Sequence, residues 1–324
     1  MSVSRFSRFA MITLLPSLVA GVSHAQKVTT YRGICDASAA IALGKDHFVV
    51  GDDELNVIRV YKRGQPDAVK QIDLSSLLGT KPDKESDIEG AALIGNRIFW
   101  ISSHGTNKDG EVQDRRRRLF ATDLVDGETP TVRGVKKPYT KLVDDLSTDP
   151  RLLKYDLATA ATKPPKTPDA LNIEGLADTP EGGLLIGFRN PIPGGKALIV
   201  PLTNPNEAVS GAARAKLGDP VEIKLEGRGV RSLERVGTSY LIVAGPIDGG
   251  GPFDLYRWSG KAEEDPKKVP GVDLAHLNPE ALFAIPGAPE VQILSDDGSE
   301  KIGGKECKKL PREAQSFRSV TVKP

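Results

Sequence analysis

Apolar and polar positions alternate along this chain in short bursts, never in long stretches. Runs of about four to eight β-formers, each closed by Gly, Asp, Asn or Pro, lie at 47–50, 97–102, 183–187, 239–244 and 290–294. After a polar loop each is followed by another run, at 57–61, 119–122, 197–201, 253–258 and 316–322. Further short runs at 70–74 and 221–225 add a fourth strand to some units. Apolar runs of this length between turn residues predict antiparallel strands.

One short phrase precedes each of these units. It reads Asp87-Ile88-Glu89-Gly90-Ala91, then Asn172-Ile173-Glu174-Gly175-Leu176, then Asn278-Pro279-Glu280-Ala281-Leu282. Degenerate copies are Gly229-Val230-Arg231-Ser232-Leu233 and Asp36-Ala37-Ser38-Ala39-Ala40. Three of the four spacings between successive copies are about 50 to 57 residues, the period of a propeller blade with long loops. The fourth is lengthened by an insertion over about 136–169, partly helical over 139–157, with a stiff proline-rich connector over 163–168. The prediction is an all-β fold, a β-propeller of five visible four-stranded blades, with room for a sixth, eroded blade in the insertion. A β-sandwich also has many short strands, but it does not predict one phrase repeated at blade spacing.

A ring must close. Residues 27–32 alternate β-formers with polar residues and are expected to supply the outer strand of the last blade, beside 316–322. Cys35 and Cys307 are the only cysteines. A bridge between them would fasten first blade to last and constrain the unfolded chain by roughly 4–5 kcal/mol; the alternative is two free buried thiols.

The first residues carry a different pattern. Arg5 and Arg8 precede a short apolar run over 10–21, and Ser23-His24-Ala25 follows. This is the form of a secretory signal peptide, with cleavage expected after Ala25 and a retained anchor as the alternative. Of 324 residues, 299 would remain as one propeller domain, 26–324, with 42 basic and 43 acidic side chains. That balance excludes a nucleic-acid-coating protein, and no later run is long enough for a membrane helix. The expected location is periplasmic or secreted, where a disulfide is stable.

Several stretches together resemble a bacterial family of unknown function, the one numbered 3616. They are 35–40, 51–56 with 59–61, 87–92, 100–105, 117–121, 172–177, and 187–191 followed by 197–198. The chain is more distantly similar to exported propellers described as esterase-like or phytase-like. The resemblance implies the propeller fold and export. It implies no established activity, and only hints at ester or phosphoester chemistry.

The innermost strand of a blade lines the central channel, so the third phrase position should recur at one height. That gathers Glu89, Glu174 and Glu280, with Arg231 and Ser38 in the other two places. Three carboxylates at close range repel and require a proton, a cation or an arginine. Ca²⁺ or Mg²⁺ suits such hard oxygen ligands. The plainer reading is a structural ring neutralised by Arg231 and Arg189. A second set lies on the loops after the second strands, at 51–56, 102–111, 188–195, 245–254 and 295–304. It includes Asp52, Asp53, His104, Asn107, Arg189, Asn190, Asp248, Asp296 and Asp297. Binding residues collect on such loops, yet Asp and Asn are also turn residues by chemistry alone. His104, in Ser-Ser-His-Gly, is a candidate base or metal ligand, or simply a hydrogen-bonding residue.

The chain has no Gly-x-Ser-x-Gly elbow, and no P-loop, His-Glu-x-x-His or EF-hand loop. The arginine run 115–118 is expected to be a solvated turn. Two functions stay open. One is a divalent-metal-dependent ester or phosphoester hydrolase at the channel mouth, with Arg189 and His104 handling a small anionic ligand. The other is a non-catalytic propeller that binds a ligand or a protein partner through its loops.

Overall fold

Each copy of the phrase folds as the start of an innermost strand, and the runs that follow it complete one antiparallel blade. Blade 1 is Ala37–Leu43, His47–Asp52, Val57–Lys62 and Ala68–Asp73; blade 2 is Ile88–Ile94, Arg97–Ser102, Leu119–Val125 and Thr131–Tyr139. Blade 3 is Asn172–Asp178, Leu184–Asn190, Ala197–Leu202 and Val221–Ile223; blade 4 is Gly229–Val236, Ser239–Gly245, Asp254–Trp258 and Lys267–Lys268. Blade 5 takes Pro279–Ala284, Val291–Ser295 and Ser316–Val322 from the end of the chain and Val28–Arg32 from its beginning. This computed structural model describes Met1 and residues 26–324. The expected leader otherwise lies outside the described residues.

The five inner strands pack in succession around the axis, and the fifth returns to the first. The ring therefore has five blades, and the insertion holds no sixth. Its start also differs from expectation. Residues 131–139 are the outer strand of blade 2, so the insertion begins only after Tyr139. It then forms the short helices Leu142–Thr148 and Leu157–Ala160, whose Leu142, Leu146 and Leu157 pack into the core between blades 2 and 3. No helix among the described residues is long and apolar enough to cross a membrane.

Closure has three parts. Val28–Arg32 pairs antiparallel with Ser316–Val322, in register from Val28 opposite Val320 to Arg32 opposite Ser316. The seam between blades 5 and 1 is aromatic: Tyr31 stacks on Phe317 at 5.3 Å and Phe48 on Phe283 at 5.3 Å. Such pairs add about 1 kcal/mol each beyond their buried area. Cys35 and Cys307 are joined as a disulfide, with Cα atoms 5.9 Å apart.

Candidate site at the channel mouth

The inner strands share one irregularity that decides where the chemistry lies. In blade 1 Ala37 pairs with Asp52 and Ala39 with Gly51, leaving Ser38 without a cross-strand partner. The same shift leaves Glu89, Glu174, Arg231 and Glu280 unpaired in the other four blades. Every blade thus carries a β-bulge at the third phrase position. A bulge re-aims its extra residue; here Glu89, Glu174, Arg231 and Glu280 line the mouth, and Ser38 reaches it through its bond to Glu280. There the loops after the second strands join them around a cavity of about 300 Å³. A larger and mostly apolar groove, about 430 Å³, opens at the opposite ends of blades 3 and 4.

One wall of the mouth cavity is charge-balanced. Arg231 is 3% exposed; its Nε lies 3.0 Å from Glu174 Oε2, and its Nη2 reaches Glu280 Oε1. Arg189 Nη1 donates to Glu174 Oε1 at 2.8 Å, and Ser38 Oγ donates to Glu280 Oε2 at 3.3 Å. Two of the three glutamates are therefore held by arginine, and Glu89 is not. Arg231 Nη1 keeps no partner.

The other wall is acidic and unbalanced. Glu89 is 7% exposed, and its carboxylate makes no hydrogen bond or ion pair among the described residues. Burial, then Glu174 and Asp87, push it well above the usual carboxylate range, against the pull of Arg231 and Arg189. Asp53 is in the same state, raised by burial and then by Asp36, Asp296 and Glu89, and its Oδ1 has no partner. Asp36 is pushed up to about 9 by burial, then by Asp296 and Asp52. Asp296 is raised by burial, although Gly298 N–H donates to its Oδ1 at 2.8 Å. Carboxylate oxygens of Asp53, Asp87 and Glu89 come within 4.8 Å of one another, as do those of Asp36, Asp52 and Asp53. That is the span two oxygens reach across a single Ca²⁺. The cavity lining holds seven carboxylates against four cationic groups, Lys166, Arg189, Arg231 and Lys308.

The remaining expected site residues divide between the cavity and its surroundings. His104 is 0% exposed, in a left-handed conformation with φ 58°, and its Nδ1 is bonded to Ser102 O at 2.7 Å. Burial holds it down to about 4, and it does not line the cavity. Asn190 ties the insertion to the ring through bonds to Pro165 O and Thr167 O at 3.0 and 2.7 Å. Asp297 is clamped by Arg318 and Ser295. Asp52 caps its turn on the N–H groups of Glu54 and Leu55, and burial pushes it up to about 7. Asn107 likewise caps a turn, while Asp248 does line the cavity. The arginine run is not a solvated turn. Arg116 reaches Glu85 at 2.5 Å and Asp87 at 3.2 Å, Arg117 bonds Ala161 O, and Arg118 bonds Leu78 O.

Sequence reasoning passed over Asp36, Asn278, Lys166 and Lys308, all on the cavity wall. Asp36 and Asn278 had a visible signal, being the first position of the phrase. Lys166 and Lys308 had none, because each reaches the mouth from a long irregular segment.

Fold and cavity together define a five-bladed propeller with a charged channel mouth. The chain belongs to the family described as Protein of unknown function (DUF3616), whose model matches residues 36–126 and 126–291. No curated protein matches it. Among solved structures it is similar to a proposed oxidoreductase (glucose dehydrogenase) from Thermus thermophilus, 11% identical over 92% of this chain and 100% of that one, TM-score 0.48. The PQQ-bound aldose sugar dehydrogenase of Streptomyces coelicolor is 12% identical, over 92% and 99% of the two chains, TM-score 0.45. A luciferin-regenerating enzyme is 8% identical over 92% and 96%, TM-score 0.43. At these values the likeness bears on neither reaction nor ligand.

Proposed function

We propose that the channel mouth binds a divalent cation, Ca²⁺ or Mg²⁺, and serves hydrolysis of an ester or phosphoester. The observation that carries this is the unbalanced wall: among the described residues, no donor or counter-ion is bonded to the enclosed carboxylates of Asp36, Asp53 and Glu89. Enclosed like charges of this kind cost several kcal/mol unless a proton or a cation joins them. The expected ligands thus shift from Glu89, Glu174 and Glu280 to Asp53, whose oxygens converge with those of Asp87 and Glu89 on one side and of Asp36 and Asp52 on the other. Glu174 and Glu280 instead orient Arg231 and Arg189. Those guanidinium groups face the same cavity and suit an anionic substrate group. Once bound, the cation would lower the pKa of its water and polarise the ester oxygen. The disulfide and the expected leader support an exported protein, periplasmic or secreted.

The test is calcium and magnesium titration of chelator-treated protein by calorimetry, with Glu89→Gln and Asp53→Asn beside the parent. Saturable binding that both variants weaken at least tenfold is expected. No binding of either ion would overturn the proposal. Binding without turnover of generic carboxylic and phosphoric esters would instead leave a cation-loaded binding module.

A further inference from the structure

The disulfide lies closer to the cavity than a ring clasp requires. Cys35 is followed by Asp36 and Cys307 by Lys308, and both of these line the mouth. The segment between Asp296 and Lys308 forms a strap around that edge of the cavity. Its backbone is laid against residue 35: Asp297 N–H donates to Cys35 O at 2.9 Å, and Asp36 bridges Asp296 as an isolated antiparallel pair. Lys308 N–H donates to Gly298 O at 3.2 Å, and Lys308 Nζ crosses to Glu54 at 2.7 Å.

Gly298 shows how tightly strap and ring are fitted. A Cβ at this position would sit 1.7 Å from Asp36 Oδ1 and 3.1 Å from Asp296 Oδ1. The strap backbone therefore occupies the space against the Asp36 carboxylate, and only glycine leaves that carboxylate where it is. Two carboxyl groups are pressed together here, at 5% exposure for Asp36, and a bound cation requires both of them ionised. Nothing else on the strap opposes their separation as a covalent bond does. Without it, the ionised pair that a cation requires repels across a segment whose own regular structure is the two-residue pairing of Lys301–Ile302 with Lys305–Glu306 and the 3-10 turn Cys307–Lys309.

We propose that the Cys35–Cys307 disulfide is a positioning element of the cation site, so that cation affinity depends on the thiol–disulfide state. This rests on the cation reading above. A dithiol reductant supplies two electrons and two protons, converts the Sγ–Sγ bond to two thiols and is itself oxidised to a disulfide. The acidic wall then opens and its oxygens no longer converge. Linkage runs both ways: whatever factor the bridge contributes to cation affinity, the cation returns as resistance of the bridge to reduction.

Calcium titration by calorimetry at pH 7 compares the parent with Cys35→Ala/Cys307→Ala, with Gly298→Ala, which keeps the bridge, and with Phe283→Leu. The last is a control that loosens the aromatic seam away from the mouth. The expected result is at least tenfold weaker binding in the cysteine and glycine variants and unchanged affinity in the control. Reduction of the parent by dithiothreitol is followed with and without calcium, with a matching shift toward the disulfide when calcium is present. This second measurement decides the matter if the cysteine variant does not fold. Equal calcium affinity with and without the bridge, or reduction indifferent to calcium, overturns this proposal and leaves the cation site standing. No calcium binding by the parent overturns both.

Discussion

Glu174 and Glu89 occupy the same bulge position in adjacent blades, yet neutralising them should move stability in opposite directions. Glu174→Gln removes the carboxylate that holds Arg189 at 2.8 Å and Arg231 at 3.0 Å. Losing one partner of a buried pair costs about 3–5 kcal/mol. For a domain of this size that is a fall of about 6–10 °C in Tm. Glu89 has no partner to strand. Its ordinary value of 4.5 is raised well above that in the fold. In chelator at pH 7 the folded chain must keep it protonated or tolerate its charge. Protonating it two and a half pH units above its ordinary value costs about 1.4 kcal/mol per unit, so the ceiling of the penalty is about 3.5 kcal/mol. Glu89→Gln removes that penalty, and Tm should rise by up to about 7 °C. Thermal unfolding followed by circular dichroism in chelator reads both shifts. Calcium should then stabilise the parent and not Glu89→Gln. A Glu89→Gln variant that melts as low as Glu174→Gln would refute the idea of an uncompensated wall, and with it the ground for a cation.

Acidity should work against the cation and for the apo fold. Asp36 stands at about 9 in the fold against an ordinary 3.8. Its contribution is therefore complete below about pH 4 and lost as pH rises toward 9. Melting in chelator at pH 5, 7 and 9 should show falling stability, and calcium should flatten that fall. Calcium affinity should rise over the same range, with proton release seen as a dependence of calorimetric heat on buffer. Cys35→Ala/Cys307→Ala should lower stability by up to about 5 kcal/mol, given the 272-residue separation, as read by urea unfolding. His104→Ala should cost about 2–4 kcal/mol by leaving a cavity and an unmade bond. Calcium binding measured on that variant should be unchanged, because the ring lies off the cavity.

The fold was legible in the sequence because a propeller repeats itself, and the repeated phrase marks where each blade begins. The same phrase brought out Glu89, Glu174, Arg231, Glu280 and Ser38 as one layer; in the structure the first four line one cavity, and Ser38 bonds Glu280. What the phrase could not convey was the pairing within the layer. Which glutamate an arginine reaches depends on side-chain direction across blades, not on height along the axis. The outer strand 131–139 was hidden by its lysines and a proline, since an exposed edge strand has no apolar alternation to display. Asp36 opens a degenerate copy of the phrase, and nothing in the copy tells that its carboxyl group is buried at the mouth. Arg116 was hidden for the converse reason, since its partners Glu85 and Asp87 lie about thirty residues earlier.

The bulges separate two jobs that a regular strand would tie together. In blade 2 Ile88 and Ala91 both enter the core shared with blade 1, three residues apart, while Ala92 enters the core shared with blade 3. Blade 1 repeats this with Ala37 and Ala40 on one side and Ala39 on the other. The residue at the third position belongs to neither core. It can be Ser, Glu or Arg without shifting the register of the strand or repacking a neighbour. The scaffold thus holds five sockets at one level, whose occupants answer to one another's charge, as Glu174 does to Arg189 and Arg231, rather than to the packing of the ring. New ligand preferences could be reached by changing single side chains in those sockets, with no change to the architecture that presents them.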